Sequence, residues 1–323
     1  MPERNTMKKI QELQQVKGDA YDYYIAGNED TDLFEKIFLV DDIVEEICKP
    51  DKYFLIGEKG SGKTAYSVYM SKSDKINSFC SISLVENTLY QRFLNMKRQK
   101  ALELSSFKDV WINLIYLILA EKIRKEYGET FFSSIKYKQL SKAIDVFYSD
   151  AFKPEFVNAF EFVDNASASI NSMMKQGLFS TGTKASAETS QKYVEQSFQI
   201  SLLKIRDGFE KAFMSVNLKK PTILFVDGID ARPRDIDNEQ YFECLVGLVN
   251  AVLEMNQSFL KEKQIKIMLL IRPDIMYKMP VHNMNQKLRN NSVLLNWVTS
   301  YRKYIDSKLF KIADDYFMKQ QDY

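Results

Sequence analysis

The run Gly57-Glu58-Lys59-Gly60-Ser61-Gly62-Lys63-Thr64 constrains this chain more than any other stretch. It meets the template G-x-x-x-x-G-K-[ST] at every fixed position. Tyr53-Phe54-Leu55-Ile56 before it reads as a short buried strand, and Ala65 to Met70 after it reads as the first turns of a helix. Strand, glycine loop and helix in that order are the context the template requires. At ordinary residue frequencies a chance match in a chain of 323 residues is on the order of one per cent.

The residue types suit a chain of phosphates. Its negative charges are wrapped only by backbone N–H groups that turn inward, and glycines supply the positive φ angles and close approach this takes. The helix N-terminus adds orphan N–H donors and a favourable dipole. Lys63 is expected to reach the β- and γ-phosphates, and the Thr64 hydroxyl to ligate Mg²⁺. The expected nucleotide contacts are therefore Gly57, Glu58, Lys59, Gly60, Ser61, Gly62, Lys63, Thr64 and Ala65.

Composition narrows the chemistry around that site. Apolar residues make up 45% and charged residues 27%, ordinary for a soluble globular protein. A net charge of +2 gives no case for nucleic acid or an anionic membrane. The single histidine, His282, argues against His-dependent triads and His-ligated metals, leaving carboxylates, Lys, Arg and Mg²⁺. Cys48, Cys80 and Cys244 stand far apart, which points to reduced, buried thiols in a cytoplasmic protein. The polar N-terminus leads into no signal region, and the most apolar window, Val110 to Ala120, is about half of the roughly 20 residues a spanning helix needs. No membrane association is expected.

Along the chain, apolar residues from Leu33 to Ile47 recur at spacings of three and four, predicting a helix with a break near Asp41. Phe79 to Leu84 reads as a second strand. Residues 86–165 read as a helical block whose stripe Trp111, Leu114, Ile115, Leu117, Ile118 and Ile123 ends near Tyr127-Gly128. Between Asn165 and Gln191 the composition turns to Ala, Ser, Thr, Gly and Lys, a mobile loop or a linker. Pro221 to Val226 and Ile265 to Ile271 are two further buried-strand runs. Leu294, Leu295, Trp297, Tyr301, Ile305, Leu309 and Phe310 read as a closing helical stretch.

Strands separated by helices predict an α/β fold with a parallel sheet, a P-loop NTPase core with a large helical insertion. The expected division is an N-terminal helical segment 1–47, a core of 48–85 and 216–293, an insertion 86–215, and a C-terminal segment 294–323. Ligands collect at the carboxyl ends of parallel strands. The glycine loop, Asp227 and Arg272 all follow strands at that end. Asp227 suits a magnesium-holding carboxylate. The next place, where many related ATPases carry Glu, is Gly228, so Asp230 is the nearest acid for orienting the attacking water. Arg272 is either a γ-phosphate sensor or a rim arginine paired with Asp274. Arg232 and Arg234 are arginine fingers toward a neighbouring subunit or a solvated face.

The combination of Gly57–Thr64, Asp227-Gly228-Ile229-Asp230 and Arg272-Pro273 resembles the STAND and KAP-type P-loop ATPases, whose NACHT members carry Asp-Gly-x-Asp after one strand and Arg-Pro after a later one. The resemblance implies an AAA-like core in which Asp227 binds magnesium, Asp230 polarises water and Arg272 senses the γ-phosphate. It also implies a nucleotide-controlled switch that forms homo-oligomers or acts on a partner effector, in bacteria commonly in anti-phage defence. Ala231 stands where that family often has a further acid, and no long sensor domain follows before Tyr323.

The expected activity is Mg²⁺-dependent ATP hydrolysis; no Asn-Lys-x-Asp guanine motif occurs. One rival is a nucleotide-gated interaction protein with little turnover, favoured by Gly228 and Ala231. Another is a motor or loader on DNA, for which the cluster Lys97-Arg98-Gln99-Lys100 is the only pointer. If residues 165–191 form a mobile loop, limited proteolysis cuts there first, because small polar exposed segments are preferred sites. First cleavage inside Val110 to Ala120 would instead mean the core is misplaced.

Overall fold

A computed structural model describes residues 12–25, 28–85, 107–132, 137–150, 202–229, 232, 238–279, 288–296 and 303–321. The chain enters through three short helices, α1 (Ala20–Ile25), α2 (Asn28–Ile37) and α3 (Asp42–Cys48). The expected break near Asp41 is a helix boundary: the Asp41 carboxylate caps α3 by accepting the Ile43 N–H at 3.2 Å. Strand β1 (Phe54–Gly57) then feeds helix α4 (Lys63–Lys72), followed by β2 (Phe79–Leu84). Helices α5 (Phe107–Phe132), α6 (Lys138–Asp150) and α7 (202–215) precede β3 (Thr222–Asp227). Helix α8 (Asn238–Gln257), β4 (Ile265–Ile271), α9 (Pro273–Lys278), β5 (Ser292–Leu295) and α10 (Lys308–Met318) complete the described order. Helix α5 is interrupted at Gly128, which sits at φ 74° and ψ 171°, where the stripe was expected to end.

The described strands form one all-parallel sheet in the order β2-β3-β4-β1-β5. The chain leaves β1 toward the far edge and then returns step by step, finally crossing over β1 to β5. Right-handed crossovers therefore put α4 on one face and α5 to α9 on the other. Alternate residues serve the two faces. Phe54, Ile56, Leu224, Val226, Ile267, Leu269 and Ile271 pack under α5 to α9. Leu55, Ile223, Phe225, Met268, Leu270, Val293 and Leu295 pack under α1 to α4. A strand buried on both sides has no polar alternation, which is why these runs read as continuously apolar.

The closing stretch is a correction. Leu294 and Leu295 were expected in a helix, but they lie on β5, paired with Ile56 and Gly57. Val293 and Leu295 are buried while Leu294 is 60% exposed, the period-two pattern of a strand. Cys48 is a second correction: it is exposed, whereas Cys80 and Cys244 are buried as expected. Among the described residues no helix is long and apolar enough to cross a membrane. The segment 165–191, the basic cluster 97–100, His282, Trp297 and Tyr301 lie outside the described residues.

Two buried polar side chains complete the sheet. Strand β1 begins level with Leu269, so the Ile267 amide and carbonyl have no strand partner on that side. Asn256 of α8 takes both, accepting from Ile267 N–H at 2.9 Å and donating to its carbonyl at 2.8 Å. Lys266, 7% exposed, donates to the carbonyls of Ile47 and Lys49 where α3 ends. Burial pushes its pKa down to about 8 from an ordinary 10.5, and Cys48, Cys80 and Asp51 pull it back less strongly.

A folded-state pKa below the unfolded one means that the unfolded chain binds this proton more tightly. Stability from Lys266 therefore rises with pH between about 8 and 10.5. Lys266→Met removes this slope. Comparing urea unfolding of the two proteins at about pH 7.5 and about pH 9.5, the difference in unfolding free energy should move in the wild type's favour by about 2 kcal/mol. A constant difference would mean that Lys266 keeps its ordinary affinity for the proton.

Candidate functional site

The carboxyl end of β1 is where the sheet's path reverses direction, with β4 on one side and β5 on the other. A crevice opens at such a point. The glycine loop fills it. Gly60 and Gly62 take φ of 81° and 89°, the left-handed conformation that turns successive amides to one side. Gly57 serves differently: a Cβ there would lie 2.2 Å from Ser61 Oγ and 3.0 Å from Leu295 Cβ, so it is needed for close packing. Gly62 is the N-cap of α4, and Lys63, Thr64 and Ala65 begin the helix, where N–H groups have no intrahelical partner.

Lys63 is 7% exposed and folds back over the loop, donating to the Gly57 carbonyl at 2.8 Å and the Glu58 carbonyl at 3.3 Å. Glu58 and Lys59 are exposed on the loop's outer side. Thr64 Oγ1 donates to Asp227 Oδ2 at 2.6 Å, joining residues 163 apart in sequence. The other carboxylate oxygen, Oδ1, accepts the Gly228 N–H at 2.7 Å. Asp227 is 7% exposed, so its orientation is held by these two bonds. The strand end is fixed further by Val85 N–H on the Asp227 carbonyl at 2.7 Å and by Tyr241 Oη on the Ile229 carbonyl at 2.7 Å. Two oxygen donors of hard character, a hydroxyl and a carboxylate, stand together at the start of α4. That donor set fits Mg²⁺.

Arg272 lies one residue beyond Ile271, which pairs with Ile56, and so stands level with Gly57. Its guanidinium grips Asp274 with both arms, Nε to Oδ1 at 2.9 Å and Nη2 to Oδ2 at 2.8 Å. Of the two readings for Arg272, the pairing with Asp274 is the one observed. Arg232 is exposed. Asp230, Ala231 and Arg234 lie outside the described residues.

Sequence reasoning missed the site's side wall. A cavity of about 470 Å³ runs beside Gly60, Gly62 and Ala65, walled by Leu39 on one side and by Ile312 and Phe317 of α10 on the other. Below it, the Asp41 carboxylate accepts Tyr66 Oη at 2.9 Å and Lys308 Nζ at 2.7 Å, tying α3, α4 and α10 together. Burial first, then the hydrogen bond to Asp41, holds the Tyr66 phenol far above its ordinary pKa. The amphipathic spacing of Leu309, Ile312 and Phe317 was the available signal, but nothing in the sequence says which surface it covers.

No family model, curated protein or solved structure matches the chain.

The position after Asp227, Gly228, is closed to any side chain. Its φ is 86°, and a Cβ would stand 2.9 Å from the Val85 carbonyl oxygen, a backbone atom with little room to move. Gly228→Glu should lower unfolding stability by at least ~2 kcal/mol, from a left-handed non-glycine conformation plus the clash. Gly228→Ala should cost nearly as much, since the conflict is at Cβ. Wild-type stability of both variants in urea unfolding would show that this position is free to carry an acid.

Proposed function

We propose that the chain is a Mg²⁺-dependent P-loop protein that binds and hydrolyses ATP and couples the nucleotide state to movement of its helical parts. The observation that carries this reading is the 2.6 Å contact between Thr64 Oγ1 and Asp227 Oδ2. Two residues expected to hold one metal ion, from motifs far apart in sequence, meet at the end of the glycine loop. The strand order, with β4 between the strands bearing the two motifs, also supports a P-loop NTPase core.

In this reading Lys63 exchanges the Gly57 and Glu58 carbonyls for phosphate oxygens, whose full charge attracts an ammonium more strongly than a dipole does. The amides at the start of α4 bind the same phosphates. Thr64 and Asp227 hold Mg²⁺, which when bound supplies a Lewis acid for the phosphate oxygens. Asp230 accepts a proton from the attacking water. Arg272 turns from Asp274 toward the γ-phosphate. The apolar cavity beside Gly60 and Gly62 receives the base and sugar, which supports a nucleoside triphosphate over bare polyphosphate.

A second reading, a nucleotide-gated switch with little turnover, is favoured by Gly228, whose backbone excludes an acid next to Asp227. The STAND and KAP-type resemblance alone carries assembly into homo-oligomers and the anti-phage role. Phage challenge of bacteria with and without the chain tests the latter.

Lys63→Ala should abolish ATP binding in calorimetry, and unchanged affinity would sink the site. Asp227→Asn should weaken the magnesium dependence of binding itself. Asp230→Asn should leave Mg²⁺–ATP affinity near wild type and slow single-turnover hydrolysis by ~10²-fold or more, the scale of a lost general base. A wild type that binds ATP with no turnover, alone or assembled, establishes the switch in place of the enzyme.

A further inference from the structure

We propose that a second site, at the end of the sheet opposite the glycine loop, binds phosphate groups. A cavity of about 720 Å³ opens there, between the beginning of β2, the last turn of α4, helix α5 and helix α1. Five lysines line it: Lys72, Lys122, Lys125, Lys219 and Lys220. Among the described residues that line it, two carboxylates, Asp74 and Glu126, face them. Ammonium groups gathered round one cleft repel each other, and an anion between them relieves the repulsion.

Part of the cluster is held in place. The ammoniums of Lys72 and Lys122 stand 5.7 and 6.0 Å from the centroid of the Tyr24 ring, within cation–π range. Tyr24 is itself anchored, its hydroxyl accepting the Ile82 N–H of β2 at 3.3 Å. The ring therefore fixes two charges on the cavity wall.

An independent observation points to a ligand. Ser81 lines the same cavity, is 3% exposed, and its Oγ has no hydrogen-bond partner among the described residues. A buried hydroxyl without a partner costs about 1–3 kcal/mol. A small apolar residue at this buried place on β2 would pack without that cost. Ser81 Oγ is itself enclosed, and a rotation about its Cα–Cβ bond toward the cavity would let a ligand oxygen remove the penalty.

The chemistry favours phosphate. All five cations are lysines, which bind phosphate as point charges, whereas planar carboxylates are best matched by the fork of arginine. The volume suits a ligand with more than one phosphate group. Such groups come from a single-stranded nucleic acid or from a free polyphosphate. The site lies apart from the glycine loop: α4 begins at Lys63 and ends at Lys72, ten residues or ~15 Å along.

The test uses the full chain carrying Lys63→Ala, which removes the glycine loop's own grip on phosphate. Tripolyphosphate is titrated by calorimetry, and a labelled thymidylate oligonucleotide by fluorescence anisotropy, both at low salt. The expected result is one-to-one binding of at least one probe, weakened at least ~10-fold by K125E/K219E/K220E. Ser81→Ala should weaken binding by about threefold or more while leaving the melting temperature unchanged or higher, which a structural hydroxyl would not do. Tripolyphosphate that binds and displaces the oligonucleotide assigns the pocket to free polyphosphate. An oligonucleotide that binds undisplaced assigns it to a strand. No binding of either probe, or binding indifferent to both variants, overturns the proposal. The outcome is separate from the ATP reading, which fails instead if Lys63→Ala binds ATP like wild type.

Discussion

Thr64 Oγ1 meets Asp227 Oδ2 at 2.6 Å across the sheet, where the relative heights of β1 and β3 are set through β4 between them and Asp227 stands level with Leu55, two residues before β1 ends. Two registers set those heights: Phe54 pairs with Leu269, and Val226 pairs with the same Leu269. A one-residue slip in either would move the strand end by ~3.3 Å and turn every side chain to the opposite face. Both faces are buried, so the slip would expose no solvent-tolerant side; it would exchange two fitted cores. Core packing thus fixes the register on which the Thr64–Asp227 contact depends.

Helices α1 to α3 add Tyr23, Phe34, Val44 and Ile47 to that core, whereas α10 buries no residue and is joined to it through Lys308. Asp41 accepts from the start of α3, from Tyr66 on α4 and from Lys308 on α10, so one half-buried carboxylate holds three elements around the glycine loop. The helix that carries Lys63 and Thr64 at one end is held on its outer face by this junction. On the inner face of the sheet, Asn256 supplies the hydrogen bonds that β1 starts too late to make. Both cases follow from the same requirement, that buried polar groups be paired.

The loop after Asp227 shows conformation limiting chemistry. Gly228 bends at φ 86° against the Val85 carbonyl, and Tyr241 pins the Ile229 carbonyl. A backbone locked in this way has no place for an acid next to Asp227. In the proposed mechanism the burden on the water falls to Asp230, three residues on.

Local patterns determined most of the sheet. The run Phe79 to Leu84 and the run Ile265 to Ile271 are β2 and β4 as read, and β1 and β3 each begin and end one residue later than expected. The strand–glycine loop–helix unit around Gly57–Thr64 was legible because its residue types stand at fixed spacing, and Phe54–Gly57 and Lys63–Lys72 are the strand and helix on its two sides. Strand β5 was not: four residues cannot display a period, and Leu294 and Leu295 also fit a helical spacing continued to Phe310. Only pairing with β1 makes them a strand. The Arg272–Asp274 pair, two residues apart, was one of two readings open in the sequence, whereas the Thr64–Asp227 contact, the Asp41 junction and the cavity under α10 join distant residues through side-chain direction. The sequence therefore determined which residues had the chemistry for a phosphate site. The tertiary structure decided which of them meet, because a contact across 163 residues depends on strand order and register, and neither is written in local periodicity.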